Sequence, residues 1–147
     1  MIRIVSVVAA LAVGVTVAYA QNLDIIKTRK DTMKGVGGAA GVAGKMMKGE
    51  EKFDLAKVQA SLKVYQDAAG KMKNLFPDNS KTGGETTVLP KIWEIKADFD
   101  ARFVKFAADA KTAEGTIKDE ASFKTEWPKV MGNCGGCHKE YRVPPKQ

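Results

Sequence analysis

An all-α fold, an antiparallel up-down-up-down four-helix bundle, is predicted by three features of this 147-residue chain. Apolar residues recur at alternating spacings of three and four along several long segments, runs of β-branched alternation are missing, and most connections are short. The composition, 44% hydrophobic and 28% charged, suits one globular domain and speaks against a disordered or disulfide-dense chain.

Residues 1–20 read as a secretory signal peptide. Arg3 supplies a positive start, Ile4 to Ala20 is uncharged and mostly apolar, and Ala18-Tyr19-Ala20 forms a small-x-small site before Gln21. A membrane anchor is the alternative, since this run lies at the lower edge of a bilayer span. The clean site at the start of a polar stretch favours cleavage and export to the periplasm. The remaining residues 21–147 form the bundle domain, with a formal balance of +6 and no later segment apolar enough to span a membrane.

The first bundle helix is expected from Leu23 to about Lys48. Leu23, Ile26, Met33, Ala40 and Met47 keep the period, while Gly35, Gly37, Gly38, Gly41 and Gly44 weaken it by up to about 1 kcal/mol each. Small residues at helical spacing also let a backbone or a flat ligand come close. The second helix follows Leu55, Val58, Leu62, Tyr65, Ala69, Met72 and Phe76, with Asp54 as N-cap and Pro77 as stop. The third follows Ile92, Ile95, Phe99, Phe103, Phe106 and Ala110, with Pro90 in its first turn. The fourth follows Phe123, Trp127, Val130, Cys134, Cys137 and Tyr141, which puts both cysteines on its buried face. Pro128 predicts a kink or a late start there. Breaks are expected at Gly49 to Lys52, at Pro77 to Val88 around Gly83-Gly84, and at Thr112 to Lys118 around Gly115.

The chain has two cysteines and one histidine. That excludes a two-histidine zinc site and any site needing two imidazoles. All three residues fall in Cys134-Gly135-Gly136-Cys137-His138, the Cys-x-x-Cys-His signature of covalent c-type haem attachment. On a helix, positions i, i+3 and i+4 share one face, so both sulfurs and the imidazole can meet one porphyrin. The sulfurs add to the vinyl groups as thioethers, and His138 is the axial iron ligand. A redox dithiol would want a βαβ setting, a zinc site would need a fourth ligand such as Glu140, and a structural disulfide leaves His138 unexplained. No imidazole remains for acid–base catalysis, and an enzyme is not expected.

With its motif in the last helix, the chain resembles the class II c-type cytochromes, the cytochrome c-prime family. Three segments carry the resemblance: Cys134-Gly-Gly-Cys-His-Lys-Glu-Tyr-Arg142, Arg29-Lys-Asp-Thr-Met33, and Phe76-Pro-Asp-x-Ser-Lys-Thr-Gly-Gly84. The family implies a four-helix bundle, often a homodimer, with one covalent haem c buried among the helices. Members with Leu or Phe four residues after the first-helix arginine are implied to be five-coordinate and to bind gases such as NO or CO. Met33 stands at that position here, which implies the low-spin, methionine-ligated branch and a periplasmic one-electron carrier with His138 and Met33 on the iron. A gas-binding protein of the five-coordinate type is the alternative. A thioether is a soft ligand that holds iron in both oxidation states, although most buried methionines only fill core gaps, as expected for Met46, Met47, Met72 and Met131. The resemblance further implies a haem environment that includes Arg29, toward a propionate, and Arg142, near His138. Trp93, Phe99, Phe103 and Trp127 are expected first as core aromatics.

Lys27, Arg29, Lys30 and Lys34 on the first helix, with Lys139, Arg142 and Lys146 after the motif, predict a basic rim. Such a rim steers acidic redox partner proteins toward the centre. No nucleic-acid recognition motif is present.

Overall fold

The computed structural model describes residues 2–144, with side chains from Leu23 onward. The regular elements are helical: α1 (Ile2–Met47), α2 (Leu55–Met72), a short α3 (Lys91–Glu94), α4 (Lys96–Thr116) and α5 (Glu120–Tyr141). One turn of 3-10 helix, Asp78–Ser80, interrupts the long connection after α2. α1, α2, α4 and α5 make the expected four-helix bundle. The expected signal peptide, residues 1–20, lies outside the residues whose side chains are described. Among the described residues, no helix is long and apolar enough to cross a membrane.

Contacts at both ends of each pair fix the directions. Ser61 near the start of α2 donates to the Ala39 carbonyl of α1 at 3.3 Å, whereas Arg29 reaches the Leu75 carbonyl beyond the end of α2 at 3.3 Å. Gln59 of α2 donates to the Glu114 carbonyl of α4 at 3.0 Å, while Phe76 meets Phe99 with ring centroids 4.6 Å apart. Asn133 of α5 donates to Asp109 of α4 at 2.7 Å, and Tyr141 meets Phe99 at 5.0 Å. Each successive pair of long helices is therefore antiparallel.

The core is built on the predicted periodic positions. Leu62, Tyr65, Ile92 and Phe123 are fully buried, with Trp127 and Phe99 close behind, and Ile117, from an expected break, joins them. Tyr65 holds the centre between Phe106 and Trp127, at 5.3 and 5.6 Å. Met46 and Met72 are buried and Met47 and Met131 pack partly buried against the core, as gap-fillers do.

Asp54 caps α2 as predicted, accepting from the Lys57 amide at 3.1 Å. Several boundaries depart from the pattern. The third periodic segment is not one helix: Ile95, at φ −128° and ψ 51°, separates α3 from α4 and is 41% exposed. An apolar residue at the right spacing had concealed the break. α4 runs on through Gly115, because Ala113 and Ile117 are buried and Gln59 bonds the carbonyls of Glu114 and Ile117. That packing outweighs one glycine's propensity. α2 ends at Met72, one turn early, with the chain tightened by Leu75 donating to the Met72 carbonyl at 3.0 Å.

α5 starts at Glu120, eight residues before Pro128, so the proline does not delay it. Asp119 and Ser122 form a capping box that sets the start. Pro128 and Lys124 are both exposed, and water can satisfy the carbonyl that the proline leaves free. The α1 glycines bring no protein backbone close: a Cβ placed at Gly35, Gly37, Gly38, Gly41 or Gly44 would touch nothing within 4 Å.

Close backbone packing joins α1 to α2, α2 to α4, and α4 to α5. α1 and α5 do not close the ring in the same way. The site lies on that open side.

Candidate haem-binding cavity

Between α1 and α5 is a cavity of about 730 Å³, within the roughly 300–1,000 Å³ range of small-molecule and cofactor sites. α5 supplies one wall. The predicted period places Cys134, Cys137 and His138 together on the face that lines it. The two cysteines form no disulfide and are half-buried. Burial pushes both thiols above their usual range, with Arg102 opposing this at Cys137. Burial also lowers the basicity of His138, and the positive charge of Arg142 adds to the effect. The imidazole is thereby favoured in its neutral form, the one that binds a metal.

α1 supplies the opposite wall through Ile26, Met33, Val36, Gly37 and Ala40. Three methionines, Met33, Met72 and Met131, reach the cavity. They are not equivalent. Met131 sits on the same helix as His138 and its sulfur faces the Tyr65 hydroxyl at 3.9 Å, while Met72 is a buried core residue on α2. Met33 is half-buried on the wall across from α5. Phe99, Phe103 and Phe106 of α4 close the back. Of the four aromatics singled out in the sequence, Phe99 and Phe103 line the cavity; Trp127 is core, and Trp93 packs half-buried with its indole N–H on the Phe76 carbonyl at 3.0 Å.

The rim is basic. Lys30, Lys34, Arg102 and Arg142 line it, against Glu85 as the one acidic lining residue among the described residues, itself paired with Lys30 at 2.9 Å. Arg142 is exposed and backbone-tied, its amide donating to the His138 carbonyl at 3.1 Å. Lys146 lies outside the described residues. Arg29 is not a surface residue: it is 4% exposed, and its guanidinium stacks over the Phe76 ring at 4.7 Å. Burial alone lowers its pKa.

Arg102 is a cavity residue that sequence reading missed. Its Nε donates to Asp98 at 3.2 Å, Tyr141 donates to the same carboxylate at 2.5 Å, and the guanidinium lies near the Tyr141 ring. The i, i+4 pairing with Asp98 was legible; its place beside Gly136 of the haem motif was not.

These residues fit haem c. Two sulfurs and one imidazole share a wall, an apolar chamber faces them, and cations at the rim match the two carboxylates the group carries. The chain matches the family model described as Cytochrome C' over residues 24–142. It is 48% identical over 142 residues to a cytochrome c' of Rhodopseudomonas palustris, covering 97% of both chains. It is 35% identical over 146 residues to a cytochrome c-556 of the same organism, again covering 97% of each. The solved cytochrome c' from Rhodopseudomonas palustris superposes with a TM-score of 0.82 at 50% identity, over 84% of this chain and 98% of that one. The chain belongs to the cytochrome c' family of class II c-type cytochromes, and its cofactor is covalently bound haem c.

Proposed function

We propose that the protein binds small neutral gases such as NO or CO at the α1-facing side of its haem. In this reading Cys134 and Cys137 are the covalent anchors, His138 is the proximal ligand, and Met33 is the displaceable distal group. The carrying observation is the overall likeness: 48% identity to a cytochrome c' against 35% to a cytochrome c-556. The geometry supports it. Near Met33 the α1 wall is lined by small or apolar residues, Val36, Gly37 and Ala40, which offer an uncharged gas an apolar surface.

A second reading, a one-electron carrier with Met33 held on the iron, is favoured by Met33 itself and by the cytochrome c-556 relatives. Haem c supplies an iron that binds a small ligand or changes oxidation state by one electron. This chain's residues do the rest: α4 aromatics exclude water, and Lys30, Lys34, Arg102 and Arg142 hold the mouth positive. Under either reading we place the mature protein, residues 21–147, in the periplasm, with acidic redox proteins as partners and a homodimer as the expected assembly.

The test is an absorption spectrum of the purified, reduced holoprotein with and without carbon monoxide. A band shift that saturates with the gas is expected. Narrow low-spin bands unchanged by the gas would overturn gas binding in favour of the carrier.

A further inference from the structure

We propose that Arg29 is a positioning residue: through the segment 75–89 it straps α1 to α5 and so sets the width of the haem cavity. The inference rests on the proposed gas binding for only one of its readouts.

α1 and α5 flank the cavity without packing closely on each other, so their separation is set indirectly, through α2 and α4, and by any segment that ties the two together directly. The strap does this at two anchors. At the α1 anchor, Arg29 donates to the Leu75 carbonyl at 3.3 Å, the Ser80 hydroxyl at 3.1 Å, the Ser80 carbonyl at 3.1 Å and the Thr86 hydroxyl at 3.4 Å. Four of the five guanidinium donors are thereby spent on the strap, leaving only Nε–H for the cavity. Among the described residues no carboxylate pairs with Arg29, and both Arg29 and Ser80 are buried, so these hydrogen bonds are shielded from bulk solvent. Gly84, at φ +53°, lies on Ile26 and Leu23 of α1, where a Cβ would meet both at 3.5 Å.

At the α5 anchor, Leu89 donates to the Tyr141 carbonyl at 2.9 Å and Val143 donates to the Thr87 carbonyl at 2.8 Å. This two-residue ladder, centred on the Val88–Arg142 bridge, begins directly after the turn that carries His138. Where the two anchors meet, Thr86, Thr87 and Val88 form cavity wall. Met33 lies one helical turn from Arg29, so a shift of the strap moves the distal wall relative to the proximal one.

The experiment uses the holoprotein and three variants: Arg29→Met, which keeps the stem and removes the fork; Arg29→Lys, which keeps the charge but not the fork; and Ser80→Ala. Amide exchange over 80–89, reduction potential and carbon monoxide affinity are measured on each. Arg29→Met is expected to speed exchange over 80–89 at least about tenfold and to shift the potential and the affinity. Lys is expected not to restore them, because one ammonium cannot serve four dispersed acceptors. Ser80→Ala is expected to move all three in the same direction by less, and it decides the matter if Arg29→Met does not fold. Unchanged exchange in Arg29→Met, or in Ser80→Ala where the former is unfolded, overturns the strap. So does a shifted potential with parental exchange, which would assign Arg29 directly to the haem. If the parent takes up no carbon monoxide, gas binding fails while exchange and potential still decide the strap.

Discussion

Replacing Met33 with Leu separates the two readings of the distal site. The swap is apolar for apolar and nearly conserves volume, a change that costs less than about 1.5 kcal/mol even in a packed core. Met33 is only half-buried and faces a cavity, so the expected loss is under about 1 kcal/mol, and the bundle remains folded. The chemical effect is larger. A gas competes with the thioether, so its apparent affinity is reduced by the fraction of molecules whose distal site is open. If the sulfur occupies the iron in about 90 to 99% of molecules, Met33→Leu raises carbon monoxide affinity about 10- to 100-fold, or roughly 1.4 to 2.7 kcal/mol. Titration of the reduced protein followed by absorption reads this directly, and a urea midpoint checks that the fold is intact. The reasoning is refuted if spectrum and affinity are both unchanged, which would make Met33 a wall residue with no bond to iron. A parent that refuses the gas beside a variant that accepts it would instead establish Met33 as a permanent ligand and the protein as a carrier.

Three further outcomes are expected. Cys134→Ser with Cys137→Ser removes both covalent anchors, and the intact mass of the denatured protein then lacks the porphyrin that the parent retains. Asp98 is held below the usual carboxylate range by the Tyr141 hydroxyl and then by Arg102. A depressed carboxylate contributes stability that is present above its unfolded pKa and lost as pH falls through its folded pKa. Asp98→Asn should therefore show a smaller drop in urea midpoint between pH 7 and pH 3 than the parent; an equal drop would remove Asp98 from the acid response. Pro128→Ala restores a donor for the Lys124 carbonyl on the exposed face of α5 and should stabilise by about 2 kcal/mol, the helix-interior cost of proline less its unfolded-state benefit. A urea midpoint at or below the parent's would contradict that balance.

The helices and the motif were legible because both depend on local periodicity. Leu62, Tyr65, Phe99, Phe123 and Trp127 are buried where spacings of three and four put them. Cys134, Cys137 and His138 line one cavity because i, i+3 and i+4 share a helical face. Periodicity misled where an apolar side chain was not core: Ile95 fits the seam yet is exposed at a break. Propensity misled at Gly115, where Ile117 and its neighbours decide the helix end through packing.

The sequence by itself determined an all-α bundle, a covalent haem c, a Cys-x-x-Cys-His motif on the last helix, and a methionine, Met33, four residues from Arg29. Only the tertiary structure decided which side of the bundle stays open, that Arg29 is spent on the 75–86 segment, and that Arg102 and Tyr141 meet beside the motif through Asp98. The physical reason is range. Helical period is set by bonds between residues four apart, whereas cavity width, strap and rim depend on contacts such as Arg29 to Ser80 and Asp98 to Tyr141, separated by 51 and 43 residues.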